Sequence, residues 1–229
     1  MGKGYKFAYS KPKEWFWTTY LSKLMPARAD YYMCTLPNLE LGGIGLDIGC
    51  GDGQITSRVA NKYAIEMIGL DTVRHNTLRA YVLGDATRLP FKDEMFSLVT
   101  CFSLVEHIRR GQRAELYSEA YRVLRRGGYL VIQHPNRFFP IEQHSYLPFI
   151  GYLPSQAHEF FYHDYCRIPS KNKLLADLKK VGFELMRADI LEAPYLPLFR
   201  FLSKMQIFRL FPFGYLITMR KSLNFEVSN

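Results

Sequence analysis
Leu46-Asp47-Ile48-Gly49-Cys50-Gly51-Asp52-Gly53-Gln54 is an apolar run that closes on three glycines at alternate positions, with an acid just ahead of them. Ile44 to Ile48 reads as a short buried strand. The glycines after it allow a tight turn and let the backbone lie against a ligand that a Cβ would push away. Gln54 to Lys62 carries a helical pattern, with Ile55, Val59 and Ala60 on one side. Strand, glycine turn and helix in that order begin a nucleotide-binding βαβ unit.

The spacing separates the nucleotides. A dinucleotide fingerprint requires G-x-G-x-x-G, and counting from Gly49 puts Gln54 where the third glycine belongs. The string is instead Asp-x-Gly-x-Gly-x-Gly, which resembles the first motif of the class I S-adenosylmethionine-dependent methyltransferases. The resemblance implies that Asp47, Gly49, Cys50, Gly51 and Gly53 surround the amino acid part and ribose of S-adenosylmethionine, with S-adenosylhomocysteine as product. An acid ahead of the turn also suits a cationic ligand better than a phosphate.

Further motifs follow at separate places. Ala64 to Leu70 is a second apolar strand ending at Asp71, which matches the family's second motif and, with Thr72, is expected at the ribose hydroxyls. A nicotinamide enzyme would also carry an acid there. Gly84-Asp85-Ala86 followed by Leu89-Pro90-Phe91 resembles the family's adenine-binding third motif, with Asp85 and Ala86 at the base. Phe96 to Phe102 is the next apolar run, and Ser103-Leu104-Val105-Glu106-His107 after it resembles the fourth motif, placing Phe102, Ser103 and His107 near the sulfonium and adenine. Ser97 stands where relatives usually carry an acid.

Arg113 to Leu124 is amphipathic and stops at Gly127-Gly128, and Tyr129 to Gln133 supplies a fifth strand. Val73 to Ala80 leaves room for a connecting helix of only about two turns. Asn172 to Val181 reads as a helix ended by Gly182, Phe183 to Leu191 as a sixth strand and Tyr215 to Arg220 as a seventh. The resemblance implies an α/β fold: a Rossmann-like three-layer sandwich with helices on both faces of a mostly parallel seven-stranded sheet. Its order is 3-2-1-4-5-7-6, the last strand antiparallel.

At 229 residues and 48% hydrophobic content the chain can bury a full core, and no Pro/Gly/Ser-rich linker divides it. One domain is expected over 1–229. It comprises an N-terminal cap (1–40), a cofactor-binding core (41–134) and substrate-side insertions (138–167 and 197–211). The cap carries Tyr5, Phe7, Tyr9, Trp15, Phe16, Trp17 and Tyr20. Cys34, Cys50, Cys101 and Cys166 lack C-x-x-C spacing and read as reduced thiols, and no metal site is expected. With no apolar signal core at the start, a cytoplasmic location is expected. Pro197 to Phe211 is interrupted by Arg200, Lys204 and Arg209, so it lacks the ~20 apolar residues of a span. It suits packing on the core, or peripheral contact with the inner membrane surface.

The expected function is methyl transfer to a small or carrier-linked acceptor, including a glycan or a lipid-linked molecule. The 136–154 stretch resembles an insertion in methyltransferases found beside polysaccharide and glycolipid assembly enzymes. His107, His134 and His144 are the candidate bases for a hydroxyl acceptor, since the unperturbed imidazole pKa lies near 6.5. Glu142 could orient His144. The net charge of +9 leaves an RNA or protein methyltransferase as the alternative, but the charge is spread without a dense block, so nucleic acid is not favoured. A non-catalytic cofactor-binding partner subunit is the other alternative.

Overall fold
The computed structural model describes residues 22–74, 80–140, 149, 152–153, 168–192 and 212–223. Seven strands form one sheet: β1 Ile44–Ile48, β2 Glu66–Asp71, β3 Tyr81–Leu83, β4 Phe96–Phe102, β5 Leu124–Pro135, β6 Phe183–Leu191 and β7 Gly214–Lys221. Their order is β3-β2-β1-β4-β5-β7-β6. β1 to β5 pair in parallel, while β7 runs antiparallel between β5 and β6. The expected topology is therefore the observed one.

β4 is buried at all seven of its residues, as a central parallel strand covered on both faces must be. Alternate residues of the inner strands supply two different cores. Val99, Ile132, Ile217 and Met219 pack with Leu116, Tyr117, Ala120, Leu174 and Leu178, which come from α3 (Arg113–Val123) and α4 (Lys171–Val181). On the other face Leu98, Val131 and Leu216 pack with Val59 of α2 (Gln54–Tyr63) and with Tyr32 and Leu36 at the end of α1 (Ser22–Thr35). Helix, sheet and helix are the three layers.

Local chemistry sets the element ends. Ser170 caps α4 by accepting a hydrogen bond from the Lys173 N–H, and Gly182 ends it in the left-handed region at φ 111°. The second strand begins at Glu66, two residues later than its apolar run, because Ala64 is spent as the left-handed cap of α2. The fifth begins earlier than expected. Leu124 already pairs with Phe96, then Arg125 to Gly128 loop out before Leu98 meets Tyr129, and Gly127 turns the bulge at φ 72°. The expected helix over Val73 to Ala80 falls mostly outside the described residues, and Val73, Arg74 and Ala80 themselves are not helical. Among the described residues no helix is long and apolar enough to cross a membrane, and no cluster could hold a metal ion.

His134, a candidate base by sequence, is a core residue. It sits at the end of β5 with 0% exposure, and its Nε2 donates to the Pro169 carbonyl at 2.7 Å. Burial pushes its imidazole down to about 4, so the ring is neutral near pH 7, and it has no access to an acceptor. Between the unfolded value of about 6.5 and 4, the unfolded chain takes up a proton that the native ring refuses. Stability from this residue is thus present above pH 6.5 and is lost as pH falls. The stability advantage of wild type over His134→Gln, measured by urea unfolding, is expected to shrink by about 2 to 3 kcal/mol between pH 7 and pH 4.5; a pH-independent difference would contradict the assignment.

Candidate active site
The glycine turn lies at the carboxyl end of β1, at the sheet edge where open α/β folds bind ligands. Gly49 and Cys50 donate their N–H groups to the Leu70 carbonyl at 2.7 and 3.1 Å, which fastens the turn to the end of β2. Gly49, Gly51 and Gly53 all have positive φ, at 74°, 52° and 75°. Two of them need glycine for different reasons. A Cβ on Gly49 would meet Leu104 Cδ1 at 2.9 Å, so that glycine permits packing. A Cβ on Gly51 would meet nothing within 4 Å, so the space beside it is open to a ligand.

Asp47 lies beneath the turn, 2% exposed. Thr56 Oγ1 of α2 donates to its Oδ2, and Thr100 Oγ1 of β4 donates to its Oδ1 at 2.7 Å. Burial raises its carboxyl to about 6, against the lowering effect of both hydroxyls. Asp47 is thereby tied into the frame of the turn. The Cys50 thiol above it is pushed up to about 12 by burial and then by the charge of Asp47, so it is no nucleophile.

Asp71 ends β2 and reaches back to the turn. Its Oδ2 accepts the Gly51 N–H at 2.9 Å, and its Oδ1 accepts the Val73 N–H at 3.1 Å and the Thr72 hydroxyl at 3.4 Å. Oδ2 keeps a lone pair for one ribose hydroxyl, and exchange of the long Thr72 contact would open a place on Oδ1 for the other. Asp85 follows β3 in an exposed turn, with Oδ1 accepting from the Thr87 N–H at 2.8 Å and the Thr87 hydroxyl at 2.7 Å. Ala86 beside it is 5% exposed. The three acids thus stand at the ends of β1, β2 and the β3 turn.

The end of β4 makes the neighbouring wall. Phe102 is 7% exposed and stacks on Tyr32 of α1, ring centroids 5.7 Å apart. Ser103 holds φ 51°, an uncommon conformation for a residue with a Cβ. Its hydroxyl accepts from Arg28 Nη2 at 2.7 Å and donates to Gln133 Oε1 at 2.6 Å, linking α1, β4 and β5. Arg28 also lies over the Tyr32 ring at 5.3 Å. His107 is exposed in the short 3₁₀ turn Val105–His107 that follows.

Arg28, Tyr32 and Gln133 went unmarked by sequence reasoning. The only available signal was the i, i+4 spacing of Arg28 and Tyr32, which shares one helix face. The cap contributes through these α1 residues, whereas its aromatic stretch before residue 21 lies outside the described residues. So do Glu142, His144, most of the 138–167 insertion and all of 197–211.

A doubly covered sheet of this order, with acids after its first three strands and a glycine turn open beside Gly51, defines the class I S-adenosylmethionine-dependent methyltransferase fold. Residues 46–132 match the methyltransferase domain family. Over that stretch the chain is similar to the methyltransferase domain of that class, whose cofactor is S-adenosylmethionine. It is 35% identical over 100 residues to a protein of Mycolicibacterium smegmatis named "Probable S-adenosylmethionine-dependent methyltransferase", covering 40% of this chain and 38% of that one. It is 30% identical over 115 residues to a ubiquinone/menaquinone biosynthesis C-methyltransferase of a Ruegeria species, 45% of each chain. The chain thus spans less than half the length of these curated relatives. The solved structure of an S-adenosylmethionine-dependent methyltransferase from Mesorhizobium loti shares the fold at a TM-score of 0.60 and 16% identity, covering 85% of this chain and 97% of that one.

The open space at Gly51 and the strained Ser103 give separable expectations. Gly51→Ala should weaken S-adenosylhomocysteine binding by more than tenfold in calorimetry while lowering unfolding free energy by only about 1 to 2 kcal/mol, the left-handed cost of a Cβ. Gly49→Ala should cost more stability than Gly51→Ala because it also clashes with Leu104. Equal costs in both would contradict the division.

Proposed function
We propose that the chain transfers the sulfonium methyl of S-adenosylmethionine to a small or carrier-linked acceptor, a class that includes glycans and lipid-linked molecules. The observation that carries the proposal is the Asp71 carboxylate held against the Gly51 N–H beside open space. It presents an acid and an approachable backbone to one ligand. When bound, the cofactor supplies an electrophilic methyl group on a cationic sulfur. Every other requirement falls on the chain's own residues.

Asp71 and Thr72 accept and orient the ribose, and Asp85 with Ala86 receives the adenine. Gly51 lets the backbone approach and Gly49 admits Leu104 against the turn, with Cys50 and Gly53 completing the turn and Asp47 keeping it in shape. Phe102, Ser103 and His107 face the methyl side. The bridge from Arg28 through Ser103 to Gln133 fixes α1 on the ends of β4 and β5, which holds the acceptor wall in place and limits water.

Holding the acceptor in near-attack geometry is worth roughly 7 to 11 kcal/mol. A general base adds about 10²- to 10⁴-fold. Positioning is therefore the larger contribution, and a base is needed only for an acceptor such as a hydroxyl. In that case His107 or His144 takes the proton. The relatives named for quinone biosynthesis support a small-molecule acceptor, while the charge of +9 leaves RNA or protein as the competing class.

Incubation with methyl-labelled S-adenosylmethionine and fractionated extract distinguishes these classes. Label is expected in small-molecule or lipid-linked glycan fractions, and label confined to RNA or protein would overturn the acceptor assignment. Ser103→Gly removes the hydroxyl bridge and relieves the positive φ, so unfolding stability should stay within about 1 kcal/mol of wild type. Its turnover should fall at least tenfold. A variant that keeps full turnover would exclude the bridge from acceptor positioning.

A further inference from the structure
The chain passes from β3 to β4 without a helix. A parallel crossover is usually helical and so satisfies its own backbone, but residues 84–95 hold turns and one isolated bridge, Asp85 with Arg88. The segment lies on the α3 side of the sheet, with Ala86 and Leu89 buried in the core that α3 also joins and Phe91 edge-on to Phe96 at 5.0 Å. Its backbone polar groups must therefore be met from elsewhere. Two side chains of α3 meet them. Glu119 Oε2 accepts the Leu89 N–H at 2.6 Å, while Arg122 donates from Nη2 to the Leu89 carbonyl at 3.1 Å and from Nη1 to the Phe91 carbonyl at 2.7 Å. The Arg122 carbonyl in turn accepts the Glu94 N–H at 2.9 Å.

The two side chains also fasten each other. Arg122 Nε and Nη2 donate to the two Glu119 oxygens at 2.7 and 2.8 Å, and that contact holds the Glu119 carboxyl below its usual value, so the pair is ionised at neutral pH. Arg122 reaches Asp93 as well, at 2.7 Å, but the Asp93 side chain is 73% exposed and an ion pair so open to water adds little. The pair's effect is to fix a stretch of backbone. The segment has a second anchor upstream, where the Gly84 N–H donates to the Asp71 carbonyl at 3.0 Å. Between the anchors lie Asp85 to Arg88. There the Thr87 N–H and hydroxyl both bind Asp85 Oδ1, which leaves Oδ2 for a ligand.

We propose that Glu119 and Arg122 are positioning residues for the adenine of the cofactor: by clamping Leu89 and Phe91 to α3 they set where the Asp85 carboxylate stands, and thereby its preference for a base that bears an exocyclic amine. The role rests on the reading of Asp85 as the adenine acceptor. Both residues act through the backbone of the crossover and not on the base. Arginine fits the task because one planar fork serves two carbonyls and a carboxylate together, whereas a lysine ammonium on its flexible stem cannot hold all three in one geometry.

The test compares two ligands that differ at that amine. S-adenosylhomocysteine and S-inosylhomocysteine, whose base carries an oxygen in place of the amine, are titrated calorimetrically into the full chain. Wild type should prefer the adenine ligand by about tenfold or more, the order that one hydrogen bond to a charged acceptor gives. Glu119→Ala and Arg122→Lys should each narrow that preference to about threefold or less, since neither keeps the clamp whole. Should Glu119→Ala not fold, the milder Arg122→Lys decides alone. Val123→Ala, a change at a buried neighbour on the same helix, should lower stability and leave the preference as it is in wild type. A preference retained in Arg122→Lys, or narrowed as far by Val123→Ala, would overturn the role and leave the cofactor reading standing. Equal affinity of wild type for both ligands would overturn it as well, because Asp85 would then not meet the amine. Wild type that binds neither ligand would strike the cofactor reading itself, and this role with it.

Discussion
A carboxylate buried under a glycine turn governs the rest of the molecule. Asp47 is almost wholly withdrawn from water, so its charge must be met by hydrogen bonds or surrendered to a proton. Thr56 and Thr100 meet it from opposite sides, one on α2 and one on β4. The three elements that flank the turn are therefore fixed to one point. Their relative placement decides where Gly51 opens and where Asp71 can reach it. Burial outweighs those two hydrogen bonds and raises the carboxyl to about 6. Removing either hydroxyl would make it costlier still.

The next constraint is topological. β4 is central and buried on both faces, so the chain can leave it only at the sheet's edge, where Ser103 takes a left-handed conformation. That turn lets one hydroxyl serve α1 and β5 together. The proposed cofactor and acceptor sides would thus rest on adjacent strands secured by different interactions: backbone to carboxylate at β1 and β2, and side chain to side chain at β4 and β5. Such a division allows acceptor specificity to change without disturbing the cofactor turn.

Much of the fold was legible because its signals are local. Ile44 to Ile48, Phe96 to Phe102 and Phe183 to Leu191 are strands with the bounds that their apolar runs and flanking turns suggest. The glycine spacing and Asp85 distinguished the cofactor class for the same reason: each is a short motif whose geometry is set within a few residues. The errors came where distant residues decide. The fifth strand begins at Leu124 because Phe96, remote in sequence, offers it a partner. His134 read as a candidate base because its place at a strand end was visible and the carbonyl of Pro169 was not. Beyond its i, i+4 spacing from Tyr32, Arg28 has no local mark of function. Its role comes from meeting Ser103 across 75 positions, which no periodicity records.

The central claim is that the Asp47 to Gln54 turn, with Asp71 and Asp85, is built for S-adenosylmethionine and not for a dinucleotide. Parallel calorimetric titrations of the full chain with S-adenosylhomocysteine and with NAD test it most directly. The account predicts saturable S-adenosylhomocysteine binding, weakened at least tenfold by Asp71→Ala, and no saturable NAD binding. Binding of NAD with none of S-adenosylhomocysteine would contradict it.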